Sequence, residues 1–122
     1  YKNIIGIERT ENVNELVKIY SLSDVFINLT KEDNYPTVNI ESIACGTPVI
    51  TYDTGGCKEQ VISTTGYCCK KNTVEEVKDK VLEFINTDFK NRIFDNSEIL
   101  SNFDANKSFD KYIKIYDRLL EK

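Results

Sequence analysis

Histidine and methionine are absent from this 122-residue chain, and no C-x-x-C pair occurs in it. Without His, the Ser-His and Cys-His forms of nucleophilic catalysis are excluded within the chain. The same absence argues against a zinc site. The four cysteines are scattered, and their arrangement reads as reduced structural thiols. Cys45 stands between Ala44 and Gly46 as a small buried residue, and Cys68 and Cys69 point to opposite faces of a strand. Positive charge is in short supply: 16 Lys and Arg stand against 20 Asp and Glu, a net charge of −4, which argues against a nucleic-acid surface. No apolar run approaches the ~20 residues needed to cross a bilayer. No signal-peptide pattern opens the chain, and there is no internal repeat, low-complexity tract or interior linker.

What is present alternates between strand and helix patterns. Lys2-Asn3-Ile4-Ile5-Gly6-Ile7 reads as an opening strand. Val13, Leu16, Val17 and Tyr20 recur at helical spacing. Asp24 to Leu29 and Pro48 to Tyr52 are short β-branched and aromatic runs, the pattern of buried strands. Between them Thr37 to Cys45 is too long for a tight turn and ends at Gly46, a helix stop. The result is a βαβ unit whose strands lie parallel with a right-handed crossover.

Farther on, Thr73 and Glu76 suggest a capping box ahead of the stripe Val74, Val77, Val81, Phe84 and Ile85. Asp88 to Leu100 reads as a helix broken near Asp95-Asn96. A last helix is expected from about Ser108, with Phe109, Tyr112, Ile113, Tyr116, Leu119 and Leu120 on one face that is either exposed or packed on the core.

In a βαβ unit, ligands bind at the carboxyl ends of the strands. The loop from Thr30 to Pro36 occupies that place. Free N–H groups at the start of the following helix suit a phosphate or pyrophosphate, and the fixed φ of Pro36 suits a first helical position. Glu41 lies one turn in from Thr37. Its side chain leans back toward the amino end, and its two acceptor oxygens match the adjacent hydroxyls of a ribose. Asp53-Thr54-Gly55-Gly56 has turn composition directly after a strand end, and Glu59 reads as a cap or surface acid near a helix start.

Taken together, these residues resemble the carboxyl-terminal, nucleotide-sugar-binding part of a family-4, GT-B-fold glycosyltransferase. That family carries two acids with seven residues between them, a loop often written E-G-F-G-L, a helix E-A-x-A-x-G-x-P-V, and a Gly-Gly loop followed by Glu. Here Asp33, Asn34-Tyr35-Pro36-Thr37, Glu41-Ser42-Ile43-Ala44-Cys45-Gly46-Thr47-Pro48-Val49, Gly55-Gly56 and Glu59 take those places. Tyr20 to Ile27 and Gly66 to Cys69 resemble the flanking segments, so the likeness covers nearly the whole chain.

The resemblance implies that Glu41 holds the ribose hydroxyls of the donor nucleotide. Asp33 takes the catalytic position, where the family's first acid contacts the donor sugar's hydroxyls. The backbone of Asn34, Tyr35, Pro36, Thr37 and Val38 faces sugar and diphosphate. Asp33 departs from the usual Glu and is one methylene shorter, which makes Glu32 a candidate to share its work; Gly55 and Gly56 are candidates for the ligand-facing loop. Neither Asp33 nor Glu41 is assigned a nucleophile's role.

The fold class so implied is α/β, a Rossmann-like three-layer α/β/α arrangement around a small, mostly parallel sheet, the truncated donor half of a GT-B fold. The chain opens at Tyr1 without Met, as expected of an excised piece, and residues 1–122 are read as one partial domain, inactive by itself. The implied reaction transfers a sugar from a nucleotide-diphosphate donor to a hydroxyl acceptor, with retention and without cofactor or metal. The acceptor, a glycan or other hydroxyl compound, engages a missing amino-terminal domain. Polysaccharide or cell-envelope glycan synthesis is the expected setting. No nucleic acid is expected as partner. The expected location is cytoplasmic, with the intact enzyme peripheral at the cytoplasmic membrane face. Two other classes fit the same residues: a non-catalytic nucleotide- or sugar-binding module, and an α/β interaction module presenting its last helix.

Overall fold

The computed structural model describes residues 2–121. Three parallel strands, β1 (Phe26–Asn28), β2 (Val49–Tyr52) and β3 (Gly66–Cys69), form one sheet in the order β1-β2-β3. Phe26 pairs with Val49, and Val49 with Gly66. Gly66 is required there because a Cβ would run into the Val49 backbone.

Helix α1 (Val13–Leu22) enters β1, α2 (Thr37–Ala44) joins β1 to β2, and the single turn α3 (Cys57–Gln60) lies between β2 and β3. After β3 come α4 (Val74–Asn86), α5 (Phe89–Arg92), α6 (Ser97–Asn102) and α7 (Ala105–Leu120). The βαβ unit is thus realised between β1, α2 and β2, and the helix broken near Asp95-Asn96 is the α5–α6 pair.

Side chains alternate across β2, and a different core lies on each face. Ile50 and Tyr52 join Cys69, Val77, Phe84 and Phe89, with Val25, Tyr67 and Val81 packed alongside. Val49 joins Ile43, Val61 and Ile99, with Phe26 and Ile62 packed against them. Helices on both faces make this a three-layer α/β/α arrangement. Cys68 and Cys69 do alternate across β3: Cys69, in register with Tyr52, joins the α4-side core, while Cys68, in register with Thr51, is not part of it.

Helix ends follow local chemistry. Asn12 accepts from the Glu15 N–H and caps α1, and Asp104 accepts from the Lys107 N–H and caps α7. At the other end of α1, Lys90 Nζ donates to the carbonyls of Ser21 (2.7 Å) and Ser23 (2.6 Å), giving exposed helix-end acceptors a cationic partner. Asn96 Nδ2 donates to the Ile43 carbonyl at 2.8 Å and closes α2.

Several expectations are corrected. Residues 2–7 form no strand: they are a turn followed by irregular chain, with Ile5 88 % exposed. A strand needs a neighbouring edge for its N–H and C=O groups, and this segment pairs with no strand among the described residues. Pro36 is the residue before α2 and not its first residue. Helix α7 starts at Ala105, earlier than Ser108, because Asp104 supplies the cap.

Thr73 caps α4 by accepting from the Glu76 N–H (3.3 Å), but Glu76 does not return the bond to Thr73. Its carboxylate takes the N–H groups of Lys70 (2.9 Å) and Lys71 (2.8 Å) and the Tyr67 hydroxyl (3.0 Å). Val77 and Phe84 are buried and Val81 partly so, whereas Val74 and Ile85 face water. Cys45 is half-buried, not enclosed. The apolar face of α7 is open along its length: none of its residues is buried.

Candidate functional site

Two loops meet at the carboxyl ends of β1 and β2, and their backbones interlock. The Gly56 N–H donates to the Asn34 carbonyl (2.8 Å), and the Thr54 hydroxyl donates to the Lys31 carbonyl (3.0 Å). Gly55 adopts φ +48°, and a Cβ there would collide with the Asp33 carbonyl. A Cβ on Gly56 would collide with the Tyr35 ring. Gly is therefore needed twice, once for a left-handed backbone and once for close approach. The Tyr35 ring also leans on Phe103 with centroids 6.1 Å apart, which ties the first loop to the end of α6.

Lys31, Glu32, Asp33, Asn34, Thr54 and Gly55 line a shallow open depression at this junction. Asp33 spends one oxygen on its own loop, accepting from the Tyr35 N–H at 3.0 Å, an Asx turn that fixes the chain direction. Lys31 supplies the cation among Glu32 and Asp33. The amino end of α2 opens beside them, with Pro36 before it and no side chain capping it. The Asn39 N–H takes the Pro36 carbonyl, and no acid stands in the first turn. An uncapped helix start offers N–H donors and a positive dipole end to an anion.

Glu41 lies elsewhere. It sits half-buried on the second turn of α2, and its charge reaches Tyr20 and Cys45. Burial and then Glu41 push the Tyr20 phenol up, and burial and then Glu41 raise the Cys45 thiol. Glu41 is thus close to Tyr20 at the end of α1 and is not among the residues that line the depression beside Asp33. Glu59 is exposed in α3 and comes near Tyr35, whose phenol is raised by burial and then by Glu59. Burial likewise lifts the Cys68 and Cys69 thiols to about 11, so these are poor nucleophiles.

Among the residues singled out from the sequence, Glu32, Asp33, Asn34 and Gly55 line one depression, with Tyr35 and Gly56 packed together beside it and Pro36, Thr37 and Val38 at the helix start. Glu41, close to Tyr20, does not line it. Two lining residues were not singled out beforehand, Lys31 and Thr54; their signal was adjacency, one beside the Glu32-Asp33 pair and one just before Gly55.

Residues 2–99 match the family model described as glycosyl transferases group 1. The chain belongs to this glycosyl transferase family. A curated relative, N-acetyl-alpha-D-glucosaminyl L-malate synthase of Bacillus anthracis, is 28% identical over 83 residues. That match covers 67% of this chain and 21% of the relative, so the glycosyl transferase segment described here spans about a fifth of the relative's length. No solved structure matches. The family match covers every residue of the two interlocked loops and of α2, and ends within α6. Among the described residues no helix is long and apolar enough to cross a membrane.

Proposed function

We propose that this glycosyl transferase segment is the donor side of an enzyme that moves a sugar from a nucleotide-diphosphate sugar to a hydroxyl acceptor. The observation that carries the reading is the interlocked pair of loops at the carboxyl ends of β1 and β2, set against the uncapped amino end of α2. The donor diphosphate lies at that helix start, where N–H groups and the helix dipole offset its charge. Asp33, through the oxygen its Asx turn leaves over, and Glu32 meet the sugar's hydroxyls and fix its orientation. Glu41, on the α1 side of α2, takes the ribose hydroxyls, so the nucleoside runs from the loop junction across α2 toward Tyr20.

In this reading the anomeric centre retains its configuration and the leaving diphosphate departs without metal assistance. The acceptor binds to chain outside this segment. The curated relative is named for making an N-acetyl-α-D-glucosaminyl product on L-malate, which favours a hexosamine-type donor; the acceptor is a glycan or other hydroxyl compound. An envelope-glycan role and a cytoplasmic setting complete the proposal.

The test is an NMR titration of the chain with UDP, GDP and ADP, each with and without glucose attached, repeated on Glu41→Ala. A lost hydrogen bond to a charged group is worth about 1.5–3 kcal/mol, so the variant should bind at least tenfold more weakly. Shifts should cluster from Asn34 to Glu41. Nucleotide binding that is indifferent to Glu41 would overturn the ribose assignment, and a folded chain silent to all three nucleotides would overturn the donor-site reading.

A further inference from the structure

Beneath the two loops lies a chain of amide side chains that the catalytic reading does not use. Asn28 ends β1, and its Nδ2 donates to Asn39 Oδ1 at 2.9 Å. Asn39, on the first turn of α2, donates onward from Nδ2 to Gln60 Oε1 at 3.1 Å. The same Nδ2 lies 3.8 Å from Cys57 Sγ. Asn39 and Gln60 are both 0 % exposed. Gln60 Nε2 has no partner, the one such buried side-chain atom among the described residues.

A buried amide without a full set of partners costs stability, a cost that apolar side chains replacing both partners together would not carry. Hydrogen bonds are directional, however, whereas apolar packing is not. Each link in this chain spans two elements: β1 to α2, then α2 to α3. Those elements carry the 30–36 loop, the helix start and the Gly55-Gly56 loop.

We propose that Asn39 and Gln60 are positioning residues for the donor site. They fix the amino end of α2 against the end of β1 and against α3, so that the two loops meet in one register. This inference rests on the donor-site reading above. The amides touch no ligand; they act by holding the helix start, and through it the N–H groups of Thr37 and Val38, at a set distance from Asp33 and Gly55.

The decisive comparison is between stability and affinity in the double variant Asn39→Leu/Gln60→Leu, titrated with UDP, GDP and ADP beside the parent chain. Removing both partners together leaves the half-buried Asn28 Nδ2 as the one amide that loses its acceptor, so the double variant should melt only modestly below the parent. It should nonetheless bind the preferred nucleotide about tenfold more weakly, the size of one lost charge-assisted contact. Gln60→Leu alone deletes the unpartnered donor and breaks only the α2–α3 link, at the cost of the acceptor of Asn39 Nδ2. It should therefore melt below the parent, and it gives a second variant should the double variant fail to fold. It should weaken binding roughly threefold, about half that effect in free energy. A purely structural role predicts the opposite pairing, affinity tracking the melting temperature. Parent-like affinity in whichever of these variants folds overturns the inference alone. A folded parent silent to all three nucleotides overturns the donor-site reading and this inference with it.

Discussion

From one face of β2, Ile50 and Tyr52 meet Val77, Phe84 and Phe89, where two phenyl rings stack with centroids 4.0 Å apart and planes within 8°. From the other face, Val49 and Thr51 meet a layer in which α2 and α3 carry Asn39, Ser42 and Gln60. Six buried polar residues occur among the described residues, Asn39, Ser42, Thr47, Thr51, Gln60 and Thr65, and none belongs to α4 or α5. Apolar burial stabilises by roughly 1.5–3 kcal/mol per large side chain. A paired hydrogen bond adds only about 1 kcal/mol net. Both sides carry an apolar core, joined through Phe94, but only the side bearing the loops adds buried amides and their directional bonds. That division suits a ligand site, which needs its supports at defined distances more than it needs them tightly bound.

The sharpest way to break the comparison is on the apolar side. Phe84→Ala removes one ring of the stacked pair and should cost about 3–5 kcal/mol, read as a drop in the urea midpoint. Amide shifts of Lys31 to Thr37 in the remaining folded molecules should stay near their parent positions, because that loop does not touch Phe84. Movement of those shifts would show that the two faces are not separable.

The second largest effect belongs to the loop junction. Gly55→Ala places a methyl against the Asp33 and Asn34 carbonyls in a left-handed backbone. Left-handed strain of roughly 1–2 kcal/mol and overpacking of roughly 1–3 kcal/mol together predict a loss of about 2–5 kcal/mol. The loss should localise: the Gly56 amide, bonded to Asn34, should exchange with solvent much faster while the Val77 and Phe84 amides keep their protection. Uniform loss of protection would mean that the loops unfold only with the core.

Thr73→Ala tests a smaller, local interaction at the rim of the apolar side. Removing the cap to the Glu76 N–H should cost about 1 kcal/mol, measured by thermal unfolding, with no change in nucleotide affinity.

These positions also show what a linear reading can and cannot reach. The βαβ unit was legible because β1, α2 and β2 are contiguous and their signals are local: β-branched runs, helix length, and Gly46 as a stop. Helices on both faces of the sheet were expected from the family resemblance, not from the strands themselves, because β2 reads as a continuous β-branched and aromatic run and does not alternate. Residues 2–7 misled because strand propensity in Ile4-Ile5-Gly6-Ile7 is local whereas the pairing that realises a strand is not. Glu76 misled because a capping box and a loop brace use the same residue types, and only the path of Lys70-Lys71 decides between them. Asn39 carried a signal that went unused: with Pro36 and Ile43 it falls on one helical stripe, so a buried stripe already implied a buried amide. Its partner Gln60 lies twenty-one residues away, and no spacing rule connects them. Glu41 was correctly expected one turn into α2, but its facing toward Tyr20 depends on where α1 packs.

The smallest effect expected at neutral pH concerns Glu76 itself. Its carboxylate is held below the ordinary value of 4.5, first by the Lys70 N–H, then by the Lys71 N–H and the Tyr67 hydroxyl. A carboxylate whose folded pKa is depressed contributes stability above its unfolded value and loses it as pH falls through the folded value. The brace should thus be fully formed at neutral pH and weaken only as the solution becomes more acidic than 4.5. Glu76→Gln keeps one acceptor oxygen and removes the charge. It should melt slightly below the parent at neutral pH, and the gap should close as the parent's carboxyl takes up its proton. Parallel melting curves across that range would mean that the Glu76 charge does not stabilise the β3–α4 connection. A gap that widens in acid would reverse the sign of the linkage and place the strongest partner of Glu76 somewhere other than the Lys70 and Lys71 amides.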